Sequence, residues 1–235
     1  MPITVHKLPP VLETYFLDTA RTMPTAHWIA AGPSVGHLGS GIRRVAGGGI
    51  AAGWAMTVNC PAGDGLATYL ALQYVRESIS SGRWIMVVAP DNDLGNPQAS
   101  LWSYMHTATA WEVGFVGAVV AGYVRDIDEI GEKLENDFSV FGYGATPLGS
   151  TKTPMGTVGA PVVINGVTVR AGDLIVGDSD GVVCVPRDEV SQIANACQEG
   201  IVRECNRLAA VREGHGAVDV LELQELLEGN VEWAE

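Results

Sequence analysis

Residues 84–126 read WIMVVAPDNDLGNPQASLWSYMHTATAWEVGFVGAVVAGYVRD. The runs Trp84–Ala89 and Phe115–Val120 are short and continuously apolar, which suits strands buried on both faces. Pro90 closes the first run, PDNDLGNPQ forms a polar loop, and Ser100 precedes a predicted helix over about Leu101–Val113. Strand, loop, helix and strand in that order predict two neighbouring parallel strands. The loops leaving their carboxyl ends should converge, and open α/β sheets hold ligands there. The second of those ends carries Arg125-Asp126.

On the amino-terminal side, GGGIAAGWAMTVNC predicts a strand from about Ala51 to Asn59. Asp64 should cap a helix running to Ser80, with Leu66, Leu70 and Tyr74 along one face. Further upstream, Val11–Arg21 and Thr25–Ala31 read as short helices, Thr25 being placed to cap the second. On the carboxyl side come a helix over Ile127–Asn136, a short strand over Val140–Gly144 and the turn-rich loop ATPLGSTKTPMGTVG. PVVI-NG-VTV predicts a hairpin, because Asn165-Gly166 suits a type I′ turn. DLIVGD and GVVCVP add two strands around the turn Asp178–Gly181, followed by a long helix over Arg187–Glu213 and an acidic one over Val218–Gly229. With no repeat and no linker, residues 1–235 are expected to form a single-domain layered α/β sandwich with a mixed central sheet, extended by helices from about residue 187.

The chain of 235 residues is 47% apolar and 17% charged, a composition of compact enzymes. Its net charge of -13, with no local cluster of Lys or Arg, argues against nucleic acid as a partner. No apolar stretch approaches the roughly 18 residues of a membrane span, so no membrane partner is expected. Cys60, Cys184, Cys197 and Cys205 lack CxxC spacing, and the amino terminus lacks the pattern of a signal peptide. Reduced thiols and a cytoplasmic location follow as expectations.

Arg125-Asp126 admits two readings from spacing alone: a salt bridge joined to a helix cap, or part of an active site. The surrounding blocks tilt the choice. IRRV at 42–45, GWAMTV at 53–58, Trp102, GAVVAGYVRDIDEI at 117–130, ATPLGS at 145–150 and NGVTVRAGDLIVGDSDGVVCVP at 165–186 occur in order. In these the chain resembles the RraA-like proteins, which include class II pyruvate aldolases, over about Thr25–Gly214. The resemblance implies a fold of the swivelling β/α/β type and a divalent-metal-dependent lyase that cleaves a 4-hydroxy-2-oxo acid to pyruvate, with oxaloacetate decarboxylation as a side activity. It implies that Asp126 holds Mg²⁺ or Mn²⁺, partly through waters, and that Arg125 contacts substrate oxygen. It also implies that Glu204 reaches a neighbouring subunit's site, hence a homotrimer or a hexamer.

The N-H groups at Ser103, Tyr104 and Met105, opening the predicted helix, should receive a substrate carboxylate. Here the chain departs from the family, which has Trp-Gly-Glu or Trp-Gly-Asp where this sequence has Trp102-Ser103-Tyr104. Tyr104 stands in for an acid that helps arrange the metal's water shell, and a phenol carries no negative charge at neutral pH. Asp91 and Asp93 could supply the missing carboxylate to the metal, or could form a solvated Asx turn. Lys152 could approach the site or lie on the surface, and His106 could face the pocket or serve packing. Gly47–Ala52 formally fits GxGxxA but precedes a strand rather than a helix, which argues against a dinucleotide site. Asp178–Gly181 lacks the rest of a calcium loop and reads as a turn. Two alternatives stay open beside the aldolase: another metal-assisted reaction on an oxygenated organic acid, and a non-catalytic regulator that binds a ribonuclease.

Overall fold

The computed structural model describes residues 2–10, 15–78, 82–134 and 138–232. Its centre is a mixed sheet in which Ala51–Ala62, Trp84–Gly95, Phe115–Val120 and Ser139–Gly142 lie side by side and parallel. Arg43–Ala46 runs antiparallel along Ser139–Gly142. On the other flank Leu174–Gly177, Val182–Val185 and Gly36–His37 follow in antiparallel order. Residues 4–5 are stitched to the same sheet through Thr157–Val158, which pairs with Val58 and Asn59. Residues 135–137, where the predicted 127–136 helix ends, lie outside the described residues, as do 11–14 and 79–81 at the ends of two other predicted helices.

The continuous apolar runs explain the layering. In Trp84–Ala89, Trp84, Met86 and Val88 enter one core beneath the helices, and Ile85, Val87 and Ala89 enter a second core on the opposite face. That second core is roofed by the 162–169 hairpin and by Leu38 and Ile42. Each fully buried aliphatic or aromatic side chain of this kind contributes ~1.5–3 kcal/mol relative to exposure. Asn165 and Gly166 have φ of 48° and 83°, the two positive angles that the hairpin turn requires.

Several expectations are corrected in detail. The Trp84 strand does not stop at Pro90 but continues to Gly95, because Cys60 and Pro61 of the neighbouring strand continue beside it to a bulge at Ala62. The helix expected from Leu101 begins at Tyr104, and Ser100–Trp102 is instead a strand. The 66–78 helix buries Ala67, Thr68, Ala71, Leu72 and Val75 rather than the Leu66, Leu70 and Tyr74 face. Small residues let this helix lie close to the sheet, so size rather than hydrophobicity chose the face. Thr25 is the first residue of its helix, not the cap. Its N-H and hydroxyl donate to Asp178 at 2.8 Å each, and Asp178 also accepts from Asp180 N-H at 2.9 Å. The Asp178–Gly181 turn thus caps a distant helix. The acidic carboxyl-terminal stretch forms two four-residue helices, Ala217–Val220 and Gln224–Leu227, broken at Glu222 with φ 57°. Among the described residues, no helix is long and apolar enough to cross a membrane. All four cysteines are free, three of them buried, and burial pushes the Cys60 thiol up to about 12.

Candidate functional site

The four parallel strands of the main sheet deliver four segments to one edge: Asp64–Leu66, Ser100–Tyr104, Tyr123–Asp126 and Gly144–Thr153. Three of them join in a second, small parallel sheet, ordered Gly144–Ala145, Tyr123–Val124, Ser100–Trp102. Its ladder continues where Arg125 N-H donates to Trp102 carbonyl at 3.0 Å. Arg125-Asp126 is therefore fixed beside Ser103-Tyr104, as the converging loops predicted. Strands of two and three residues leave no periodic trace in a sequence.

Asp126 adopts φ 63°, a left-handed conformation that Asp tolerates better than most residues. Its Oδ2 lies 3.4 Å from Arg125 Nε and accepts a long 3.4 Å contact from Tyr104 N-H. Arg125 Nε is buried yet lacks a well-formed hydrogen bond. About a third of each of these two side chains is exposed. Opposite them the Tyr104–Glu112 helix begins with Ser103 in extended conformation, and Ser103 does not cap it. The Ser103 hydroxyl bonds instead to His106 Nδ1 at 3.0 Å. Apart from the long contact of Tyr104 N-H to Asp126, the first N-H groups of the helix have no side-chain cap, and the helix favours an anion there.

His106 is 1% exposed and stacked between two rings, with centroids 4.1 Å from Tyr69 and 5.2 Å from Trp102. Burial pushes its pKa down to about 4, and the positive charges of Arg125 and Lys152 act the same way, opposed by the nearby Gly65 carbonyl. That carbonyl is too poorly aligned for a proper bond, and Nε2 has no hydrogen-bond partner. The close approach depends on a glycine, since a Cβ at Gly65 would lie 2.8 Å from Nε2. Gly149 similarly leaves room for Arg125, whose Nη1 would be 3.0 Å from a Cβ there. Burial raises the Tyr69 phenol, while its hydrogen bond with Ser103 and the charge of Arg125 act in the opposite direction.

The 144–153 loop is held against this cluster by Asp64. Fully buried, Asp64 accepts from Leu66 N-H at 2.9 Å, Thr151 hydroxyl at 2.8 Å and Thr153 N-H at 2.5 Å. Lys152, exposed between the two threonines, carries its ammonium 6.0 Å from the centre of the Tyr69 ring.

The other sequence candidates fall elsewhere. Asp91 accepts from Asp93 N-H at 3.1 Å, an Asx turn at the end of the Trp84 strand. Neither carboxylate makes a hydrogen bond or ion pair with Arg125, Asp126 or Tyr104. Glu204, on the Val190–Arg212 helix, pairs with His27 Nε2 at 3.0 Å, and its helix packs on Thr25–Ala31 rather than on any segment of the site. Met105 is exposed and Tyr104 half-buried. Tyr69 escaped the sequence reading altogether, whereas His106 was named there as able to face the pocket or serve packing. The only local signal was the three-residue step from Ser103 to His106, which puts both on one side of a helical turn.

Among the described residues, no three His, Cys, Asp or Glu side chains converge on a common point. Asp126 offers one partly exposed carboxylate, which fits an ion of the magnesium type that retains most of its waters.

A family model described as RraA-like, aldolase/RraA, matches residues 30–184. A Halalkalibacterium halodurans protein, provisionally named a 4-hydroxy-4-methyl-2-oxoglutarate aldolase, is 32% identical over 181 residues, covering 77% of this chain and 81% of its own length. A solved structure of an uncharacterized protein from Pseudomonas syringae pv. tomato superposes with a TM-score of 0.71 at 24% identity, covering 90% of this chain and 99% of the other. The RNA-processing inhibitor RraA of Thermus thermophilus superposes with a TM-score of 0.58 at 26% identity, covering 69% of this chain and 92% of the other.

Proposed function

We propose, for a chain that belongs to the RraA-like family, a divalent-metal-dependent lyase that cleaves a 4-hydroxy-2-oxo dicarboxylic or tricarboxylic acid to pyruvate by a retro-aldol reaction. The observation that carries this reading is the meeting of Arg125-Asp126 with the uncapped start of the Tyr104–Glu112 helix at the carboxyl ends of the parallel strands. The name of the Halalkalibacterium relative supports the substrate class.

In this scheme Asp126 holds Mg²⁺ or Mn²⁺, which supplies Lewis-acid polarisation of the 2-oxo group. The N-H groups near Ser103 to Met105 receive the substrate carboxylate, that of Tyr104 being shared with Asp126. The 4-hydroxyl gives its proton to solvent water and C4 becomes a carbonyl, while the bond between C3 and C4 breaks and its electron pair moves onto the 2-oxo oxygen as the enolate. The Arg125 guanidinium stabilises the negative charge that develops there. Decarboxylation of oxaloacetate passes through the same enolate and would use the same groups. Glu204 of one subunit completing the site of another, in a homotrimer or hexamer, belongs to this reading.

The test is a panel of 4-hydroxy-2-oxo acids and oxaloacetate incubated with the protein and Mg²⁺ or Mn²⁺, with released pyruvate read by coupled reduction to lactate. Pyruvate should appear from at least one acid, and Asp126→Ala should lose both the activity and the Mn²⁺ binding seen by titration. Silence across the whole panel would sink the lyase assignment.

A further inference from the structure

Next to Arg125 the fold assembles Tyr69, Ser103 and His106, three groups to which the lyase scheme gives no task. They come from two helices, and the contacts between them are specific. The Tyr69 and His106 rings are stacked at 4.1 Å and 20°, Trp102 closes the other side of the imidazole at 5.2 Å and 27°, and Ser103 Oγ lies 3.0 Å from His106 Nδ1. An apolar side chain would fill the space of His106 without burying an unpartnered Nε2. The imidazole's single well-formed bond goes to Ser103, so the Ser103 hydroxyl fixes the imidazole, and the imidazole, stacked on the Tyr69 ring, fixes the phenol. Lys152 faces the ring with its ammonium 6.0 Å from the ring centre, and the positive charge of Arg125 acts on the same phenol. Tyr69 itself remains partly open to solvent.

We propose that Tyr69 is the proton donor of this site, with Ser103 and His106 as its positioning residues. The proposal rests on the pyruvate-enolate reading. The enolate carbon C3 takes the phenolic proton. A C-H bond forms, the O-H bond of Tyr69 breaks, and the electron pair stays on a phenolate oxygen beside Arg125 and Lys152. Water then returns the proton to the phenol, which its partial exposure permits. Run backwards, the same exchange removes a methyl proton from pyruvate, so the step can be observed without knowing the natural substrate.

The experiment follows deuterium entry into the methyl group of pyruvate in D₂O by proton NMR, with the intact protein and Mg²⁺. Wild type should exchange. Tyr69→Phe should slow exchange on the order of 100-fold, with pyruvate binding and thermal unfolding unchanged, and Ser103→Ala should give a smaller loss of the same kind. Exchange at the wild-type rate in Tyr69→Phe overturns the assignment and leaves the enolate reading standing. So does a loss matched by equally weakened pyruvate binding, which marks a merely structural role. No exchange by the wild type removes the enolate reading and this assignment together.

Discussion

Replacing His106 by Asn keeps an acceptor near the Nδ1 position for the Ser103 hydroxyl and removes the only proton that the imidazole can gain. Burial holds His106 at about 4 in the folded protein against an ordinary 6.5. Between those values the unfolded chain binds a proton that the native chain refuses, so stability is intact above pH 6.5 and falls as the pH drops towards 4. The shift of 6.5 to about 4 corresponds to a loss of about 2 kcal/mol between pH 7 and pH 5, and about 3 kcal/mol by pH 4. Urea denaturation of wild type and His106→Asn at pH 7, 6, 5 and 4 reads this directly, because every other acid-sensitive group is common to both proteins. The two stability curves should converge as the pH falls, the variant losing about 3 kcal/mol less than the wild type over the range. Parallel curves would mean that His106 is solvated or paired in solution, and the stacked, sealed environment described above would be refuted.

Tyr104→Glu restores a carboxylate beside Asp126 and should raise both Mn²⁺ affinity and pyruvate release; unchanged titration curves and rates would show that an acid at this position adds nothing to the site. Asp64→Ala leaves the donors of Leu66, Thr151 and Thr153 without their acceptor, at a cost of about 3 kcal/mol. Thermal unfolding should show that drop, and limited proteolysis should cut first near Lys152. A variant that melts with the wild type would show that the loop is not anchored there.

Some of this arrangement was legible in the sequence because the physics is local. Trp84–Ala89 and Phe115–Val120 are strands because a short, unbroken apolar run is stable only when both faces are covered, and both are. Arg125-Asp126 stood out because charges that end such a run must meet solvent or a ligand. Tyr69 did not stand out, since the spacing of Leu66, Leu70 and Tyr74 suggested the wrong face; Ala67 and Ala71 determine the helix's approach through size, which a hydrophobic pattern does not weigh. The capping of Thr25 by Asp178 spans 153 residues and has no local signature. A lone histidine is equally silent: nothing in the sequence around His106 announces that Tyr69 will lie across its ring. Pro90 misled in the other direction, because a proline ends a strand only when no neighbouring strand runs on beside it, and Pro61 does run on.

The small sheet of residues 100–102, 123–124 and 144–145 is paired through backbone hydrogen bonds, so its pairing does not depend on the side chains that follow each strand. Positions 103, 104 and 106 can consequently be exchanged like bits in a common chuck while Arg125 and Asp126 keep their seat. A combinatorial library confined to those three positions and Tyr69 would sample new reactivities on an unaltered frame, and a change in substrate would need no rebuilding of the parallel strands behind it.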